Sequence, residues 1–284
     1  MSKQEKNPLL TVINFSGGKQ SSALLWMVLL GKLPKPDNLL VLNADPGMEN
    51  SQTYEYVEMM FEKCKEHDID ARTADGPNLY KDLVELKDTD KTRFDNPPYW
   101  VKKKDGGLGR ITQRCTKFYK IAPMDRAIRQ VLEEKCGISR KAKNIGKDIV
   151  EKWIGFAADE YLRIKEAKQK YVYFRYPLIE LKMTNEDVVK FYQDNNLPIP
   201  PRSVCNACFA NTAKFFKEMY EERPEDWKQA VEVDNAVRDL TQIGLKHEIY
   251  VSKTLVPLEE LPQKNFEANS DEDDDSCHSG YCFT

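Results

Sequence analysis

Histidine is scarce in this chain, with three residues in 284. His67, His247 and His278 stand at no ligand spacing, which argues against a histidine-built metal centre. His278 adjoins Cys277 and could lower that thiol's pKa. Long apolar runs are also missing: no stretch reaches the roughly 18 residues a membrane helix needs. The N-terminal MSKQEKNPLL carries no apolar signal core. The expectation is a cytoplasmic protein with no membrane partner. Charge of one sign is lacking too. The net value of −3 makes the whole molecule no trap for nucleic acid and leaves only local basic surfaces for that role. No internal repeat is present. In the expected compartment the seven cysteines do not read as a disulfide framework, so metal or redox roles come first.

What is present is a hydrophobic content of 40%, enough for one large domain with an appendage. The first half alternates strand and helix signals. LLTVINF (9–15), NLLVLNAD (38–45) and IDARTAD (69–75) read as strands. ALLWMVLLG and SQTYEYVEMMFEKCKEHD (51–68) read as helices, the second with Ser51 as its cap. VEKWIGFAAD (150–159) supplies a further strand. Helices are expected after Pro123, over 184 to about 196 behind a Thr-x-x-Asp cap, and over 222–240. Residues 76–114 are irregular. The pattern predicts an α/β fold, a doubly wound, mostly parallel sheet covered on both faces, with a helical C-terminal extension. The expected division is a nucleotide-binding domain over 1–200, a cysteine-containing helical region over 201–265 and an acidic tail over 266–284.

Between the first strand and the first helix lies Ser16-Gly17-Gly18-Lys19-Gln20-Ser21-Ser22. This is the C-terminal edge of the sheet, where doubly wound folds bind ligands. Glycines let backbone N–H groups turn toward an anion, and the helix start adds unsatisfied N–H groups and a positive dipole end. Lys19 adds charge, and Ser16, Ser21 and Ser22 add hydroxyls. The stretch makes sense as a phosphate cradle, although it is neither a Walker loop nor a Gly-x-Gly-x-x-Gly fingerprint.

FSGGKQSS resembles the PP-loop of the adenine nucleotide alpha hydrolase superfamily, in particular its phosphoadenosine phosphosulfate (PAPS) reductase-like branch. VLNADPGMENSQTYEYV, QRCTKFYKIAPMDRAIR, WIGFAADEYLRIK and PPRSVCNACF resemble further blocks of that branch, in order, over residues 9 to about 240. The resemblance implies an adenine nucleotide, ATP or PAPS, as ligand. ATP-pyrophosphatase members carry Asp where this chain has Gln20, and an amide cannot hold Mg²⁺ as a carboxylate does. Asp45 and Glu49 are candidates to replace it.

Cys205-x-x-Cys208 has the spacing to clasp one metal or cluster. The resemblance brings Cys115 toward the same site and implies a [4Fe-4S] cluster held by cysteines of these blocks, with zinc as the rival. The tail adds Cys277 and Cys282; Cys282 is the candidate fourth ligand. The branch carries a catalytic cysteine on a C-terminal segment, which makes Cys277 and Cys282 the candidate nucleophiles, although DSCHSGYC is not the family's own motif. Cys64 and Cys136 read as packing residues. Residues 100–120 gather seven Lys and Arg between aromatics. Arg110 and Arg114 are the best candidates there to grip phosphate on a small molecule or nucleic acid. Asp159, Glu160 and Arg163 follow a strand at the sheet edge and are candidates to orient nucleotide or substrate.

Three functions fit. The first is a PAPS reductase-like enzyme served by a thiol reductant protein. The second is an ATP pyrophosphatase that adenylates tRNA, DNA or a nucleobase for thiolation or amination. The third is a cluster-bearing nucleotide sensor without turnover.

Overall fold

The protein is described as a computed structural model over residues 7–88, 97–103, 106–241, 244–245 and 247–266. Its main sheet is built from β1 (Leu10–Asn14), β2 (Leu39–Ala44), β3 (Asp70–Ala74), β6 (Val150–Trp153) and β7 (Val172–Arg175). The order is β3-β2-β1-β6-β7, and every neighbouring pair is parallel. Ile13 on β1 pairs with Val41 on one side and Trp153 on the other. β1 and β2 are apolar at nearly every position because helices cover both faces. On one face Ile13, Val41 and Trp153 pack with α1 (Lys19–Leu29), α2 (Ser51–Glu66) and α6 (Asn185–Asp194). On the other, Val12, Leu40 and Val150 pack with α4 (Ala122–Cys136). The chain runs outward from β1 to β3 and then returns to β6 beside β1. That reversal makes the C-terminal ends of β1 and β6 the switch point where such sheets bind ligands.

Chain contacts divide the molecule into two units. The sheet unit takes residues through Ala44, Gln52–Asp75 and Pro123–Ser203. The second unit takes Asp45–Ser51, Gly76–Ala122 and the chain from Val204 onward. Two of its segments, 45–51 and 76–122, lie within the stretch that sequence assigns to the nucleotide domain. The second unit holds an antiparallel sheet of β5 (Leu108–Arg110), β4 (Trp100–Lys102) and β8 (Ile249–Tyr250). Around it are α3 (Leu79–Val84), α7 (Ala213–Glu222) and α8 (Pro224–Val237), with a separate core that includes Met48, Leu83, Tyr99, Phe216 and Val233. The remaining helix, α5 (Pro177–Glu180), belongs to the sheet unit.

Several expectations shift. The strand expected over 150–159 ends at Trp153, and Ala158–Arg163 forms a 3-10 turn instead. A π-helical turn, Thr116–Ile121, precedes α4. Ser51 does not cap α2 with its own oxygen; its N–H and hydroxyl both donate to Asp226 at 3.0 Å. Thr184 does cap α6, through a reciprocal box with Asp187.

Candidate nucleotide loop and thiol site

The two glycines of the loop after β1 do different work. Gly17 has φ +76, and a Cβ there would lie 3.0 Å from Val57 and 3.1 Å from Thr53. Conformation and space both require glycine. Gly18 is extended and has room for a side chain. It is the N-cap of α1, makes no side-chain cap, and no acidic residue follows in the first turn. The N–H groups at this helix start are therefore set to receive an external anion. The serines stiffen the loop. Ser21 Oγ accepts from the Ser16 N–H at 3.2 Å and donates to the Gly18 carbonyl at 3.3 Å, while the Gly18 N–H donates to Ser16 Oγ at 3.3 Å. Ser21 and Ser22 are buried, so their hydroxyls face inward rather than toward solvent. Lys19 is half-buried, and its carbonyl accepts from the Tyr192 hydroxyl of α6 at 2.7 Å.

Gln20 is tied down. Its amide nitrogen donates to Asn185 Oδ1 at 2.8 Å and to Glu160 Oε2 at 3.5 Å. Asn185 Nδ2 in turn donates to Asp159 at 3.0 Å. Glu160 accepts from the Ala157 N–H at 3.0 Å and pairs with Arg163, whose guanidinium lies 3.9 Å from the centre of the Phe156 ring. Position 20 thus needs a donor between two acceptors, which an aspartate could not supply. Gly155 closes the same corner. A Cβ there would stand 2.8 Å from Ser21 N and 3.0 Å from the Gln20 carbonyl carbon, so the backbone after β6 can touch the loop only as glycine.

In the second unit the Cys205–Cys208 turn is held by its backbone. The Cys208 N–H donates to the Cys205 carbonyl at 3.1 Å, and the Asn206 N–H to Met48 at 2.8 Å. Asn211 Nδ2 donates to the carbonyls of Cys205 and Asn206 at 3.0 and 2.9 Å. Cys115 caps the π-helical turn, where N–H groups favour a thiolate. Tyr99 is fully buried in the same core. Burial first, then the charges of Cys208, Cys115 and Cys205, push its phenol far above the usual tyrosine range. The three thiols therefore converge on one phenol. Its hydroxyl has no hydrogen-bond partner among the described residues. Among those residues no group of three His, Cys, Asp or Glu side chains is arranged to hold a metal ion.

Residues 11–201 match the phosphoadenosine phosphosulfate reductase domain family. The chain belongs to that family. No curated protein sequence matches it. Among solved structures it is similar to the U34-tRNA thiolase NcsA from Methanococcus maripaludis with its [4Fe-4S] cluster. The two share 13% identity over 92% of this chain and 83% of that chain, with a TM-score of 0.41.

For a reductase-family chain, the sequence candidates fall into the two units as follows. Ser16–Ser22, Asp159, Glu160 and Arg163 lie in the sheet unit, linked through Gln20. Asp45, Arg110, Arg114, Cys115, Cys205 and Cys208 lie in the second unit. Asp45 accepts from the Gly47 N–H at 2.6 Å. Glu49, weighed as a magnesium ligand, is instead buried in an ion pair with Lys120 at 2.7 Å and lies 3.8 Å from Cys205 Sγ. Arg110 is exposed on β5, with its guanidinium 5.4 Å from the Trp100 ring centre and 5.5 Å from that of Phe209. Cys277 and Cys282 lie outside the described residues. Cys64 is packed as expected, and burial pushes its thiol up to about 12, whereas Cys136 is exposed. Among the described residues no helix is long and apolar enough to cross a membrane. Asn185, Gly155 and Tyr99 are the site residues that sequence reasoning missed. Gly155 stood in the quoted WIGFAAD block, but neither of the others belongs to a motif.

Proposed function

We propose that this family member binds the phosphates of PAPS on the Ser16–Ser22 loop and carries out thiol chemistry on the activated sulfate. A thiolate from the tail, Cys277 or Cys282, attacks the sulfate sulfur. The S–O bond to the nucleotide breaks, adenosine bisphosphate leaves, and a thiosulfonate remains on the cysteine. Attack by a second thiol from a reductant protein then releases sulfite and forms a disulfide. The observation that carries this proposal is the bonding of Gln20. Its amide is committed to Asn185 and Glu160, and the first turn of α1 holds no carboxylate. The loop therefore suits phosphates held by N–H groups and Lys19, without a magnesium ion anchored at position 20. Asp159, Glu160 and Arg163 act by fixing the loop.

The thiol site fits a bound sulfur-ligated group on two counts: the donor set is three cysteines, and a buried hydroxyl among them lacks a partner. A zinc ion draws its thiolates to about 3.8 Å from one another, whereas a cubane spreads them wider. Convergence without a single-ion grouping supports the [4Fe-4S] cluster over zinc, with Cys115, Cys205, Cys208 and Cys282 as ligands. Such a cluster would supply positive charge and redox capacity.

A second proposal, ATP-dependent adenylation of tRNA or DNA for thiolation, is favoured by Arg110 and its neighbours Lys102 and Lys103. They are exposed on a hairpin beside Trp100, which suits a polyanion. Asp45 would then be the candidate Mg²⁺ ligand. One anaerobic experiment separates these outcomes: chromatography of nucleotides after incubation with PAPS and thiol, or with ATP and nucleic acid. Sulfite from PAPS with ATP intact is expected. AMP and pyrophosphate would establish adenylation, and no turnover of either would leave a nucleotide sensor.

A further inference from the structure

Tyr99 sits just before β4 in the core of the second unit and is fully buried. Its backbone is accounted for: its N–H donates to the Pro97 carbonyl at 2.9 Å, and its carbonyl accepts from the Ile111 N–H at 3.0 Å. Its hydroxyl is not, for it meets no acceptor or donor among the described residues. Proteins rarely bury a phenol that way, because the lost water bond has no replacement. Surrounding side chains could have sealed the pocket with phenylalanine. The groups that crowd this hydroxyl are the thiols of Cys208, Cys115 and Cys205. Asp234, the other charge acting on the phenol, is already committed to Arg238 and to the N–H groups of Val251 and Leu258, both at 2.9 Å. A phenol O–H is a donor, and a metal-bound thiolate or sulfide is an acceptor with no other donor assigned to it here.

We infer that Tyr99 donates a hydrogen bond to a sulfur atom of the bound thiolate centre and so sets that centre's reduction potential. This rests on the cluster assignment above. A donated hydrogen bond draws charge from sulfur and stabilises the reduced state, which raises the potential. Tyr99 is thus a tuning residue that touches the centre without ligating it.

The test uses full-length wild-type and Tyr99→Phe chains, purified without oxygen and reconstituted with iron and sulfide. Iron content, the midpoint potential from visible absorbance, and the melting temperatures of the metal-free and loaded forms are measured. Equal iron and a more negative potential in Y99F are expected. The metal-free Y99F chain should melt at or above the wild type, because the orphaned hydroxyl is gone, and that advantage should vanish on loading. An unchanged potential overturns the inference, even if Y99F loads less iron, because Tyr99 would then only be packing. A metal-free Y99F that melts below the wild type also overturns it, since the hydroxyl would then have a protein partner. A wild-type chain that takes up no iron, behaving like Cys115→Ser, removes the cluster itself and the inference with it.

Discussion

At position 20 an amide stands between two acceptors, and its chemistry follows from that position. Replacing Gln20 with Glu sets a second carboxylate against Glu160 and removes the donor to Asn185. Asn185 could turn its amide to meet the new charge only by giving up Asp159. We expect Q20E to lose about 1–3 kcal/mol of stability at pH 7. The deficit should narrow as pH falls and one of the facing carboxylates takes a proton. Urea denaturation at several pH values measures both; a deficit that does not change with pH would show that the two carboxylates do not interact. The departure from aspartate at this position was legible in the sequence. Its reason was not, because Asn185 lies 165 residues away and belongs to no motif.

Elements with a strong period were legible: β1, β2, α2 and α6 stand within a few residues of their expected ends. The short ones were not. β4, β5 and β8 have three residues or fewer, too little alternation to distinguish from loop. α4 carries a charge that its pattern does not advertise. It presents Asp125 to Lys152 of β6, at 3.6 Å, on the face of the sheet it covers. Burial pushes the Lys152 amine down, and Asp125 pulls it back up. The lysine's folded pKa is thus below its unfolded one. Between those values the unfolded chain binds more protons, so stability rises with pH there. Asp125→Asn leaves the ammonium unpaired, and we expect a loss of about 1–3 kcal/mol at neutral pH, less than for a sealed pair because Asp125 is partly exposed. The loss should shrink as alkali neutralises the lysine. Denaturation from pH 7 to 10 reads this, and a deficit that grows with pH would refute the pairing.

At the scale of the whole molecule there are two separate cores, one wrapped around the parallel sheet and one holding the thiols. Ligands that bind different cores should raise different unfolding transitions. Calorimetry is expected to show nucleotide moving one transition and iron the other, with Ile128→Ala weakening the first and Phe216→Ala the second. A single transition moved alike by all four would contradict independent cores. This interleaving was not legible in the sequence, because local periodicity says what a segment forms and not which segments share a core. It also bears on birth at the ribosome. The thiol core needs Met48, Leu83 and Tyr99 from early in the chain, and Val204, Phe216 and Val233 from late. At ordinary translation speeds the interval between Met48 and Val204 lasts roughly 8–30 s. For that time the early half of a hydrophobic core waits in the cytosol without its other half, which makes the nascent chain, rather than the finished protein, the form most in need of a chaperone.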